Sequence, residues 1–193
     1  MKPRKLNETQ IIALADKIQK FLDQCKYNHQ DYARSAKRVE EDQIAHCLEG
    51  ALYAAWKLQE KGIRPYLLDF RAIADDDHVV CVYKVGKLWG SIGKSSTTLL
   101  RGRPPMFLSV RDLVMSYVPF YFNKAGKLSL HEWCGPFPMS KFSKFNWIEG
   151  KKNMQALSYE MDLSKGKSIL SASKLKSLRR VSKNLFAACY FAE

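Results

Sequence analysis

Cys47 stands at the head of an apolar-striped segment, and His78 stands 31 residues later at the head of His78-Val-Val-Cys-Val-Tyr83, a run of strand-forming residues. A thiol held near an imidazole is a nucleophile with its base: the thiolate attacks an amide or ester carbonyl, and the imidazole returns the proton to the leaving group. With Leu48 at zero and about 100° per residue, Ile44, Ala51, Leu52, Ala55 and Leu58 fall within about 120° of arc, which predicts a buried amphipathic helix over residues 45–60. Glu49, Lys57 and Glu60 form its polar face, and Gly62 followed by Ile63-Arg64-Pro65 stops it. Cys47 then lies in the first turn. Unpaired N–H groups and the positive end of the helix dipole favour a thiolate there, by roughly 0.3–1 kcal/mol when exposed and up to about 2 kcal/mol when partly buried. The same position at the rim of an apolar stripe also suits an ordinary small core residue.

Around this pair the chain runs Ala45-His46-Cys47-Leu48-Glu49-Gly50-Ala51, then Gly62-Ile63-Arg64-Pro65, then a strand over residues 66–70, His78, and Trp89. Over residues 44–92, and more loosely to Tyr121, this order resembles the core of the transglutaminase-like superfamily of cysteine acyltransferases and peptidases. The string Asp75-Asp76-Asp77-His78-Val-Val-Cys-Val-Tyr83, with Trp89-Gly-Ser-Ile-Gly-Lys-Ser95 and Arg111-Asp-Leu-Val-Met-Ser-Tyr117, is similar to a bacterial branch of that superfamily. The resemblance implies an α+β fold with a papain/transglutaminase-like core, in which a Cys-bearing helix packs on an antiparallel sheet between flanking terminal helices. It also implies Cys47 and His78 as the catalytic pair, a protein or peptide amide as substrate, and no cofactor. Water as acceptor would give hydrolysis and an amine cross-linking; the residues do not choose between them.

One departure bears on the chemistry. The fourth and fifth residues after Trp89 are Gly93 and Lys94, where the family pattern carries the aspartate that orients the histidine, and no carboxylate occurs between Asp77 and Asp112. In a Ser-His-Asp site, replacing the acid by an amide costs about four orders of magnitude. A thiol is intrinsically more nucleophilic and depends on it less. Asp76 would share a strand face with His78 if the strand began two residues early, and the hydroxyls of Ser91 and Ser95 are the other candidate orienting groups. Residues 75–77 read equally well as a solvated loop tip, and as a calcium site they lack EF-hand spacing. His46 would point about 100° away from Cys47 on a helix, a supporting or structural position. Trp89 fits either beside the site or in the core. Without the acid, a second reading stands beside the enzyme: a catalytically degenerate fold serving as a protein-binding module.

Composition bounds the rest. A chain of 193 residues with 46% hydrophobic content and four Trp is long and apolar enough for a packed core, and it reads as one domain over 1–193, with its core over about 44–121. No apolar run approaches the roughly 18 residues of a membrane span, and residues 1–7 lack the apolar centre of a secretory signal, so a cytoplasmic protein is expected. The five cysteines, at 25, 47, 81, 134 and 189, have no C-x-x-C spacing, and the four His are dispersed, so no metal site is expected. Residues 1–122 carry 19 Lys/Arg against 14 Asp/Glu, whereas residues 123–193 carry 13 against 5, so the formal charge of +13 is concentrated in a basic carboxy-terminal extension. That excess suits an acidic partner, an anionic surface or, as a weaker alternative, nucleic acid.

Asn7 with Gln10 predicts a capped helix over 7–26, and the highly charged residues 27–41 read as a loop. Strands are expected over 66–70, 78–83 and 88–92, the last two joined at Val85-Gly86, with His78, Val80 and Val82 on one face and Val79, Cys81 and Tyr83 on the other. Ser109 should cap a short helix to Tyr117, a second hairpin should turn at residues 124–127, and Cys134-Gly-Pro-Phe-Pro138 reads as a rigid loop. Phe142, Phe145 and Trp147, interleaved with basic and polar residues, suit core anchoring or base stacking. A last helix over 171–190 would set Lys176, Arg179, Arg180 and Lys183 along one basic side, the candidate contact for an anionic partner.

Overall fold

The computed structural model describes residues 6–190, so most of the amino-terminal stretch from which a missing secretory core was read lies outside the described residues. Asn7 Oδ1 accepts the Gln10 N–H at 2.9 Å and Gln10 Oε1 accepts the Asn7 N–H at 3.0 Å, and this reciprocal cap starts helix α1 (Glu8–Gln24). The charged stretch expected to be a loop instead holds α2 (Ala36–Asp42), because Ala36 and Val39 bury while the N–H groups of Ala36 and Lys37 bond to the carbonyls of Trp147 and Ile148. On either side of it, β1 (Lys26–Tyr27) and β2 (Ile44–Ala45) form a short parallel pair. The next helix, α3 (Cys47–Glu60), therefore starts two residues later than the apolar stripe suggests, since Ile44 and Ala45 continue the periodicity from within β2.

The main sheet contains β3 (Tyr66–Ala72), β4 (His78–Val85), β5 (Leu88–Ile92), β6 (Arg103–Phe107), β7 (Leu130–Pro138) and β8 (Lys167–Ser168), in the order β6-β5-β4-β3-β7-β8 and antiparallel throughout. The α+β class with a helix-backed antiparallel sheet is thus the architecture. The segment read as a rigid loop at 134–138 is the end of β7, held against β3 across an irregularity where Gly135 takes φ +100. Gly86, at φ +56, closes the tight β4–β5 hairpin.

Both faces of the sheet are covered, which is why β4 reads as nearly continuous apolar sequence. On one face Leu67, Val79, Cys81 and Tyr83 pack with α1 and α3 around Leu22, Leu48 and Leu52. On the other, Leu68, Phe70, Val80 and Val82 pack with Leu113 and Val114 of α4 (Val110–Met115) and with Tyr117 and Tyr121. Phe142 and Trp147 are buried in the α3-side core, which assigns them to anchoring rather than to base stacking. Helix α5 (Gln155–Asp162) follows them. The last helix is broken: α6 (Ala172–Ser177) ends at an extended Leu178, the Val181 N–H bonds to the Gly126 carbonyl, and α7 (Lys183–Tyr190) begins afterwards. Lys176 and Lys183 consequently sit on different helices, with Arg179 and Arg180 exposed between them, and no continuous basic helical face forms. No helix among the described residues is long and apolar enough to cross a membrane.

Candidate active site

Cys47 is the first residue of α3, and the chain is shaped to deliver it there. His46 is the cap: its Nδ1 accepts the Leu48 N–H at 3.2 Å, while the Glu49 carboxylate accepts the His46 N–H at 2.6 Å. Accepting at Nδ1 leaves the His46 proton on Nε2, and burial holds the ring below its ordinary pKa, so His46 is a neutral structural cap rather than a base. Glu49 is fully buried and fully engaged, accepting also from Asn28 Nδ2 at 3.0 and 3.1 Å, from the Arg34 N–H at 2.7 Å and from Arg34 Nη1 at 3.2 Å. The acid of the cap thus ties α3 to the segment after β1.

The half-buried Cys47 lines a cleft of about 820 Å³ between the end of α3, the β3–β4 loop and α5. The neighbouring backbone of Val79 and Leu48 favours the thiolate, but burial outweighs it, and with the negative charges of Asp69 and Glu49 it pushes the thiol up to about 11. As the first residue of the helix, Cys47 has no intrahelical acceptor for its own N–H.

Asp69, from the middle of β3, reaches the same cleft. Its side chain is 5% exposed, with Arg71 Nε at 3.4 Å from Oδ2, yet Oδ2 accepts no hydrogen bond. Burial, with Asp77 and Asp162 nearby and Arg71 only partly offsetting them, pushes this carboxyl up to about 7. A lone Asp at an inward strand position is the one sequence signal that marks it, and the reading from sequence passed over it.

His78 starts β4 as expected, but strand parity turns its ring to the face away from α3. There it is buried against Phe70 and Tyr121, with ring centroids 6.1 and 6.4 Å away, and its Nε2 bonds to the Leu100 carbonyl at 2.9 Å. Burial is the main cause that lowers its pKa to about 4. The ring is not among the groups lining the Cys47 cleft, although the next residue, Val79, is. Of the groups considered for orienting His78, none is hydrogen-bonded to it among the described residues. Asp76 lies in the β3–β4 loop, where it lines the cleft and its carbonyl accepts the Tyr121 hydroxyl at 2.6 Å. Ser91 Oγ is engaged with the Tyr117 hydroxyl at 2.7 Å and the Arg103 N–H at 2.9 Å, and Ser95 Oγ with Thr97 Oγ1 at 3.0 Å. Trp89 packs edge-on to Tyr66 at 5.8 Å, under the Lys84 ammonium. Among the described residues, no cluster of three His, Cys, Asp or Glu converges on a metal-sized site.

No protein-family profile matches the chain, and no curated protein is significantly similar to it.

Proposed function

We propose that the chain is a cysteine-dependent acyl hydrolase or acyltransferase of the transglutaminase-like kind, acting on amide bonds of a protein or peptide through Cys47. The observation that carries this reading is the placement of the sulfur. It sits at the amino end of a buried helix, on the wall of a cleft of about 820 Å³. In the reaction, the sulfur forms a bond to the carbonyl carbon, the carbon–nitrogen bond breaks, and the thiol proton leaves on the departing amine. Water or a second amine then attacks the thioester and restores the thiol.

The acid–base group that lines the cleft with Cys47 in this scheme is Asp69, since the His78 ring lies on the other face of the sheet. With the thiol at about 11 and the Asp69 carboxyl at about 7, the thiol rests protonated, and proton transfer accompanies attack rather than preceding it. The same protonated resting thiol favours the second reading, a fold that binds a peptide in this cleft without cleaving it.

Intact-mass analysis after incubation with peptide methylcoumarin amides tests the enzyme reading. An acyl adduct that maps to Cys47 and is absent from Cys47→Ser is the expected result. If no adduct forms and fluorophore release is the same for wild type and Cys47→Ser, the protein does not carry out this chemistry.

A further inference from the structure

We propose that the Cys47 cleft recognises its peptide through a cationic side chain, a lysine or arginine close to the carbonyl presented to the sulfur. The proposal rests on the cleft being the substrate site, and it does not require that bond cleavage follows.

The chain carries a formal charge of +13, with 32 Lys/Arg against 19 Asp/Glu. Its cleft has the opposite sign. Asp31, Asp69, Asp76, Asp77 and Asp162 all line it, and none of the described lining residues is Lys or Arg. Like charges gathered in a concave, partly desolvated wall repel one another and focus a negative potential into the space between them. That potential concentrates cations and rejects acidic peptides.

Asp69 supplies an independent reason. The chain contains two buried acids beside Cys47, and they are treated differently. Glu49 has Asn28, Arg34 and the His46 N–H around its carboxylate, so its hydrogen-bonding capacity is met from within the protein. Asp69 is 5% exposed at the side chain and opens on the cleft, yet its buried Oδ2 accepts no hydrogen bond. Arg71 offers it only an ion pair, Nε lying 3.4 Å from Oδ2, while its Nη atoms bond to Glu132 at 2.8 Å and to the carbonyls of Met161, Asp162 and Ser164 at 3.0 to 3.2 Å. A buried carboxylate oxygen left without a hydrogen bond is costly, and a donor arriving through the cleft reduces that cost. Because the carboxylates are spread along the cleft instead of converging on one point, they suit an extended ammonium or guanidinium side chain better than a metal ion. Tyr159, 64% exposed at the rim, offers an aromatic face to the alkyl stem or charge of such a side chain.

The test uses full-length Cys47→Ser, which cannot form a thioester, and a set of acetylated, amidated hexapeptides that differ at one central position: Lys, Arg, norleucine or Glu. Isothermal titration should give Lys and Arg peptides an affinity at least about tenfold above norleucine, weakening as salt is raised, with no binding of Glu. Asp162→Asn and Asp76→Asn, both at exposed positions, should each erode the preference for Lys. Equal affinity for Lys and norleucine, or no binding of any peptide, overturns the proposal. The wild-type adduct measurement keeps the two readings apart. Selective binding without an acyl adduct would leave recognition standing and remove the chemistry, whereas adducts formed equally from Lys and norleucine peptides would do the reverse.

Discussion

Val79 and Cys47 line one cleft, where the amino end of α3 packs against the start of β4. The same packing explains how a residue neighbouring His78 can share the cleft with the thiol while the His78 ring itself belongs to the opposite face of the sheet. The nucleophile rests as the thiol, because the adjacent backbone does not outweigh the desolvation of the sulfur.

Alkylation of Cys47 should therefore show a high thiol pKa. The rate with iodoacetamide, followed by peptide mass spectrometry, is expected to climb about tenfold per pH unit through neutrality and to level only near 11. Removing the negative charge of Asp69 favours the thiolate, so Asp69→Asn should label faster at pH 8. A plateau already reached at neutral pH would show an activated thiolate and contradict this account.

Asp69 and His78 should drive stability in opposite directions with pH. Folding raises the Asp69 carboxyl from 3.8 to about 7, so the native state binds more protons there than the unfolded chain, and stability falls as pH rises through that window. Folding lowers His78 from 6.5 to about 4, so its contribution is fully present above 6.5 and is lost as pH falls towards 4. Asp75 and Asp77, also raised by burial, act with Asp69. Asp69→Asn should remove a destabilisation of roughly 3–4 kcal/mol at pH 8 and leave stability rising with pH over the lower part of the range. His78→Gln should leave it falling. Urea midpoints measured across pH 4 to 8 for the three proteins check this, and parallel profiles for wild type and Asp69→Asn would refute it.

Glu49→Ala should be among the most damaging single changes near the site. It leaves the Arg34 guanidinium, whose side chain is 11% exposed, with only Asp42 as a charged partner, and it strips acceptors from Asn28 and the His46 N–H. Removing one partner of a buried pair costs about 3–5 kcal/mol, to be read from urea unfolding. A loss within about 0.5 kcal/mol would mean that the network does not hold α3 in place.

Gly50→Ala should destabilise despite the better helix propensity of alanine. Its added Cβ would lie 2.7 Å from Lys94 Cβ, where α3 passes close to the end of β5. Overpacking of this kind costs about 1–3 kcal/mol, and a shift of α3 to relieve it should slow acyl-adduct formation at Cys47. Unchanged stability and unchanged adduct formation would show that the close approach is dispensable.

Local chemistry made much of this protein legible from its residues. The Asn7/Gln10 cap, the Gly62 stop after α3, the Val85-Gly86 hairpin and the Ser109 cap each rest on neighbours within a few positions, and short-range geometry decides them. The break between α6 and α7 was hidden because the apolar spacing of Leu175, Leu178, Val181 and Leu185 continues through an extended segment whose backbone is bonded to Gly126 instead of to its own turn. Helix α2 was hidden for the converse reason, its support coming from residues 147 and 148, far along the chain.

The candidate site divides in the same way. Sequence alone determined that Cys47 opens a helix, that His78 opens a strand, and that alternate residues of that strand separate into two apolar faces. It could not determine which face α3 would cover, because a strand buried on both sides carries no polar mark to distinguish them. Packing decided that Val79 and Asp69 would face Cys47 and that His78 would lie behind them, bonded to Leu100. It also gathered acids from residues 31, 69, 76, 77 and 162 into one cleft, a convergence that only the path of the folded chain creates.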